Sequence, residues 1–264
     1  RPFIPPRVRP DGTSPLSLHH AVPISLVGTG GREDTPGRNG VGTYYDDLVD
    51  HLRDRLGGVI LLTPPADPSE PFEGWITGMP GDPSQKIYFP SPRMFWRRIR
   101  AFDPHVIVSG TPGGFGMLGL LMAALLRTAF AVGYHTEYPE LAGLYWKGRF
   151  GRIYKGIMAL WDQMMFRFGS TVLVTNEKLR DLALAWGARD ARIVGTPIQR
   201  RFLHHPLLPL PEEIGTVTYV GRLAPEKELG QVRAAALSHP GLRFRIAGDG
   251  LLRPQVEAWG RELD

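Results

Sequence analysis

No cysteine occurs in the 264 residues. Disulfides and thiolate metal sites are therefore excluded, and a reducing, cytoplasmic setting is the expectation. No run is apolar enough for long enough to span a bilayer. The most membrane-like stretch, Phe115 to Leu126, is charge-free but well short of the roughly 20 residues a spanning helix needs, and it reads as a buried helix. A secretory signal is missing too, because Arg1 to Pro15 holds five prolines and three arginines and no apolar segment. This stretch reads as a tail, and a chain that opens on Arg rather than Met is expected to be a fragment or a trimmed product. Acidic charge is in the minority. Lys and Arg exceed Asp and Glu by 31 to 26, giving +5 and a pI near 9.6, so an anionic partner is expected. Nucleic acid, lipid headgroups and phosphorylated small molecules all meet that description.

What is present is a regular alternation. Pro23 to Gly28 reads as a strand, followed by a glycine-rich loop to Gly42. A helix then carries Val41, Tyr45, Leu48, Leu52 and Leu56 on one face, and Val59 to Leu62 is a second strand. Strand, loop, helix and strand in this order form a βαβ unit of a parallel sheet. Pro64 to Pro92 carries eight prolines and reads as a long functional or disordered loop. Phe95, Ile99 and Phe102 mark a short helix among Arg93, Arg97, Arg98 and Arg100. His105–Ser109, Ala129–Tyr134, Thr171–Val174 and Ala191–Gly195 are further strands. Helices are expected over Phe115–Leu126, Arg149–Phe168 and Glu177–Trp186. The division expected is a tail over 1–20, a first α/β domain over 21–196, a linker over 197–211, and half of a second domain over 212–264.

The second domain opens on Tyr219-Val220-Gly221-Arg222-Leu223-Ala224-Pro225-Glu226-Lys227. A strand ends at Val220, Gly221 allows the turn, and Pro225 suits the first turn of a helix expected to run through Val232 to Leu237. Arg222 and Lys227 add two cations beside that helix N-terminus, an arrangement suited to a diphosphate. Both are expected to be exposed, and the alternative is a surface turn with two solvated cations.

Four blocks now stand in order: Asn39-Gly40-Val41-Gly42-Thr43-Tyr44, His135-Thr136-Glu137-Tyr138-Pro139, Val220 to Lys227, and Ile246-Ala247-Gly248-Asp249-Gly250. Together they make the chain, from about Pro23 to Asp264, resemble the retaining family-4 glycosyltransferases of the GT-B fold. The resemblance implies two Rossmann-like domains facing across a cleft. The first holds the acceptor and the second, here incomplete, holds a nucleotide-sugar donor, GDP- or UDP-linked. It implies that Arg222 and Lys227 bind the diphosphate and stabilise the leaving group, that Gly40 and Val41 approach the donor through their backbone, and that Gly248 and Gly250 lie near the nucleotide. His135 is implied to be the active-site histidine, with Thr136 and Glu137 beside it toward the acceptor. Asn39 stands where the family has its first glycine. A glutamate pair that the family carries further on would lie past Asp264. No Asp-x-Asp motif occurs, so no metal or other cofactor is expected.

Rival readings remain at this level. Gly114, Gly116 and Gly119 match a dinucleotide fingerprint and raise an NAD-dependent oxidoreductase, although Gly110 to Gly113 separate them from the strand end. A non-catalytic binding protein of the same fold is a second rival. Nucleic-acid binding is not expected, since no recognised module accompanies the basic residues. The acceptor is expected to be a lipid, a lipid-linked group or a glycan, because the His-Thr-Glu-Tyr-Pro block resembles lipid-directed members. Basic patches over Lys86–Phe102 and Lys147–Lys155 add an anionic membrane surface as an expected partner, with solvated helix faces as the alternative.

Overall fold

The structure is a computed structural model. It describes residues 19–23, 40–65, 71–79, 82–110, 113–137, 139–140, 146, 148–204, 206, 209 and 212–263. The chain divides into two compact units, 1–203 and 204–264. Both units are α/β, the first built on a six-stranded parallel sheet and the second on a parallel strand pair.

In the first unit, β1 (His19–Pro23), α1 (Gly40–Arg53) and β2 (Gly58–Leu62) come first. They are followed by β3 (Gly74–Met79), β4 (Asp82–Pro90), α2 (Pro92–Phe102), β5 (Val106–Ser109) and α3 (Gly114–Leu126). Then come β6 (Ala129–Tyr134), α4 (Gly148–Phe168), β7 (Thr171–Val174), α5 (Glu177–Ala185), β8 (Ala191–Ile193) and the short α6 (Arg200–Leu203). Six strands make one sheet in the order β2-β1-β5-β6-β7-β8, and every pairing is parallel. Such a sheet is covered on both faces, which is why β5 and β6 are near-continuous apolar runs rather than alternating, with one buried polar residue, Ser109, at the end of β5. One face packs Phe95, Phe115 and Phe166, and the other packs Tyr44, Tyr45 and Val49 from α1.

Local chemistry sets the helix ends. Pro92 opens α2 with its fixed φ, and Asp103 ends it in the left-handed region, donating its N–H to Ile99. Asn176 caps α5 by accepting from the Leu179 N–H at 2.9 Å. The strand expected from Pro23 is found at His19–Pro23, and 24–28 lie outside the described residues.

The proline-rich stretch departs from expectation, because part of it is an antiparallel hairpin of β3 and β4. Pro83 and Pro90 lie near the two ends of β4 in a two-stranded sheet, where proline is better tolerated than in the middle of a central strand. Trp75 stacks on Phe89 across the pair at 5.3 Å, and Tyr88 is buried in the main core.

The stretch expected as a linker begins attached to the first unit. His51 Nε2 meets the Ile198 carbonyl at 2.7 Å, and Arg200 donates to Asp54 Oδ2 at 2.7 Å. The second unit holds β9 (Thr216–Val220), a 3-10 turn (Pro225–Lys227), α7 (Gly230–Ser238), β10 (Arg243–Ala247) and α8 (Arg253–Leu263). Its two strands are parallel in register Thr216↔Arg243 to Val220↔Ala247. Arg233 joins the helices, pairing with Glu262 at 2.8 Å and lying over the Trp259 ring.

Candidate functional site

In the first unit the candidate residues gather at the carboxyl ends of the parallel strands, the edge where open α/β sheets bind ligands. His135 follows the last residue of β6, and α1 brings Tyr44 and Tyr45 against it. The Tyr44 ring centroid lies 4.2 Å from that of His135, and Tyr45 Oη lies 3.1 Å from His135 Nε2. Two glycines make the slot for Tyr45. A Cβ on Gly133 would fall 1.8 Å from the Tyr45 hydroxyl, and one on Gly110 would fall 2.4 Å from its ring. Burial lowers the His135 pKa from 6.5 to about 4, because a charged imidazolium would lose its water there. The ring is therefore neutral at pH 7. Its Nδ1 is buried and has no hydrogen-bond partner among the described residues.

Thr136 and Glu137 are half-buried beside it. Glu137 pairs with Lys178 of α5 at 2.5 Å, and that hydrogen bond raises the Lys178 pKa. Gly40 opens α1 in open space, with nothing within 4 Å of the position a Cβ would take. Val41 packs its side chain into the Tyr44 and Tyr45 cluster. Asn39 and Tyr138 lie outside the described residues.

In the second unit two loops interlock at the ends of the two strands. The Gly221 N–H donates to Ala247, the Leu223 N–H to Asp249, and the Leu252 N–H to Leu223. A Cβ on Gly248 would sit 1.8 Å from the Gly221 carbonyl oxygen. Gly250 has φ +147, and a Cβ there would sit 2.6 Å from the Leu223 carbonyl. Both glycines are thus required by the meeting of two backbones, in addition to any closeness to a nucleotide.

The cationic turn differs from expectation in two respects. The helix does not start at Pro225: a three-residue 3-10 turn ends at Glu228, whose φ of 47 is left-handed, and α7 begins separately at Gly230. Arg222 is not freely exposed. It forms an ion pair with Glu226, four residues on, and the Tyr219 hydroxyl donates to its carbonyl at 2.8 Å. Lys227 is exposed and forms no ion pair with a described residue. The 3-10 turn brings Glu226 back over Arg222, the i,i+4 partnership that charge spacing alone would have suggested. Tyr44, Tyr45, Glu226 and Lys178 were given no site role from the sequence. Two consecutive tyrosines one turn past a glycine loop were the available signal for the first pair.

The fingerprint glycines do not form a strand-end turn. Gly114, Gly116 and Gly119 lie within α3, Gly116 and Gly119 are buried, and a Cβ on Gly114 would meet the Phe89 ring at 2.8 Å. They serve helix packing against the β4 strand and the sheet.

The profile of glycosyltransferase family 4 matches residues 38–198, more than half of the chain, and the chain belongs to that family. Two curated relatives are GDP-mannose-dependent alpha-mannosyltransferases, from Mycolicibacterium smegmatis and Mycobacterium tuberculosis. Each is 28% identical over 84% of this chain. The chain spans 62% of the length of either relative. Among solved structures, a Listeria monocytogenes protein provisionally assigned as a UDP-N-acetylglucosamine 2-epimerase aligns over 94% of this chain and 66% of its own. The identity is 12% and the TM-score 0.50, a likeness of fold.

Proposed function

We propose that the protein is a retaining mannosyltransferase that moves mannose from GDP-mannose to a lipid or lipid-linked acceptor, without a metal. The observation carrying this reading is the match of the family profile over the histidine-bearing unit, joined to two relatives named as GDP-mannose-dependent alpha-mannosyltransferases. The residue chemistry supports it. Breaking the bond from sugar to diphosphate builds negative charge on a phosphate oxygen, and Arg222 and Lys227 are the cations assigned to meet it. Glu226 holds the Arg222 fork before a donor arrives, so binding exchanges one carboxylate partner for phosphate oxygens. His135, neutral at pH 7, is assigned to hydrogen-bond the transferred sugar or the acceptor rather than to carry a proton, with Thr136 and Glu137 on the acceptor side. Gly40 and Val41 are assigned to the donor by backbone contact, and Gly248 and Gly250 to the neighbourhood of the nucleotide.

A lipid acceptor is favoured by the outer face of α4. Ile153, Ile157 and Leu160 are exposed at i, i+4 and i+7, with Arg149, Arg152 and Arg167 exposed around them, and the helix's one acidic residue, Asp162, is buried. An apolar stripe bordered by arginines suits an anionic bilayer surface. No helix among the described residues is long and apolar enough to cross a membrane, and peripheral attachment at the inner face is the arrangement proposed.

A thermal-shift panel of nucleotides and nucleotide-sugars tests the donor. GDP-mannose is expected to raise Tm more than UDP-hexoses or NAD, and a response to NAD alone would sink the reading. Binding to vesicles containing anionic lipid at low salt, but not to neutral vesicles, is expected for the acceptor side.

A further inference from the structure

Tyr45 has the surroundings of a side chain held for a purpose. It is 1% exposed, its ring is flanked by Gly110 and Gly133, and its hydroxyl ends 3.1 Å from His135 Nε2. Any residue larger than glycine at 133 would occupy the place of that hydroxyl. Gly133 and His135 are two residues apart at the end of β6, so the same strand supplies both the slot and the ring that the hydroxyl addresses. The Tyr44 ring also packs on the imidazole, its centroid 4.2 Å away, and the Tyr44 and Tyr45 rings meet edge to face at 5.0 Å. The imidazole is thus fixed in orientation by two consecutive residues of α1, whose first turn carries Gly40 and Val41.

A neutral imidazole carries one proton, and the hydrogen bond made by one nitrogen decides which of the two holds it. A tyrosine hydroxyl can donate to Nε2, which then needs its lone pair, so the proton belongs on Nδ1. That atom is buried and has no partner among the described residues. A buried donor left unpaired costs on the order of 1–3 kcal/mol, which an oxygen arriving with a ligand would recover.

We infer that Tyr45 is a positioning residue: its hydroxyl donates to His135 Nε2, fixes the ring as the Nδ1–H tautomer, and thereby presents Nδ1–H as a donor to an oxygen of the bound donor sugar. The choice of ligand oxygen rests on the transferase reading above, whereas the tautomer does not depend on it. Tyr45 touches no substrate in this account and acts only through His135. No proton is transferred in the step.

Nitrogen-15 NMR of the imidazole side chains, assigned through a His135→Gln control, tests it in the full chain. In the wild type the Nδ1 signal is expected at the protonated position and Nε2 at the unprotonated one, and GDP-mannose is expected to move the Nδ1–H proton downfield. Tyr45→Phe keeps the ring and removes one oxygen. It should shift the population toward Nε2–H and abolish the GDP-mannose response. It should also lower kcat/KM for mannosyl transfer roughly 3- to 10-fold, the weight of one hydrogen bond. Gly133→Ala, which displaces the hydroxyl, should give the same NMR pattern. An Nε2–H tautomer in the wild type overturns the inference, as does a Tyr45→Phe protein with unchanged tautomer and kcat/KM. A wild type with the expected tautomer but no transfer from GDP-mannose overturns the functional reading and leaves the tautomer assignment standing.

Discussion

Arg222 and Glu226 form an ion pair across the 3-10 turn, with side chains 29% and 16% exposed. The cation assigned to the donor diphosphate is therefore also a structural partner of the turn that carries it. Arg222→Ala removes the ion-pair partner of a mostly buried carboxylate and should cost the fold about 1–3 kcal/mol in addition to most of the transfer activity. Lys227→Ala removes an exposed cation and should change stability by no more than about 0.5 kcal/mol, while kcat falls by about 10²-fold or more. Denaturation midpoints and steady-state rates of the two variants separate these effects. An equal loss of stability in both would assign the pair to the fold alone.

Glycines separate fold from function in the same way. Gly248→Ala pushes a methyl into the Gly221 carbonyl and should destabilise the second unit by about 1–3 kcal/mol. Gly40→Ala meets nothing within 4 Å and exchanges a poor helix former for a good one, so Tm should hold or rise. Under the donor reading its affinity for GDP-mannose nevertheless falls. Thermal melts paired with donor titrations check both, and an unchanged affinity for Gly40→Ala would remove Gly40 from the donor site.

Two buried groups give the first unit opposing pH dependences. Burial raises the Asp162 carboxyl from 3.8 to about 8, so it is protonated in the folded protein at pH 7. Its contribution is fully present below pH 3.8 and is lost as pH rises toward 8, on the order of 5 kcal/mol in all. His135, lowered to about 4, behaves oppositely. Its contribution is present above pH 6.5 and is lost as pH falls toward 4, about 3 kcal/mol. Asp162→Asn should therefore gain on the wild type steadily from pH 4 to 8, and His135→Gln should gain on it from pH 6.5 down to 4. Urea unfolding at several pH values measures both slopes, and a pH-independent difference for either variant would contradict the burial of that group.

Much of this was legible in the sequence because the relevant signals are local. Strands such as Ala129–Tyr134 declare themselves as short continuous apolar runs, and the helix of Phe95 and Ile99 through its spacing. The hairpin at Gly74–Pro90 did not, since proline content argues against strands unless the partner edge is known. The helix start at Pro225 was misplaced because the left-handed Glu228 leaves no mark in residue type. His135 in the first unit and Arg222 in the second were visible as motif residues, whereas their partners Tyr45 and Glu226 are set by packing and by the shape of a turn. Tyr45 lies ninety positions from His135, and only the parallel sheet brings them together.

The proposed reaction is mannosyl transfer from GDP-mannose with retention. It is tested most directly by incubating the protein with GDP-mannose labelled in the sugar and vesicles of a polar lipid extract, then reading the anomeric signal of any labelled lipid by NMR. The account predicts GDP release matched by an α-linked mannolipid. A β-linked product, or label that never leaves GDP-mannose while a UDP-hexose is consumed, would contradict it.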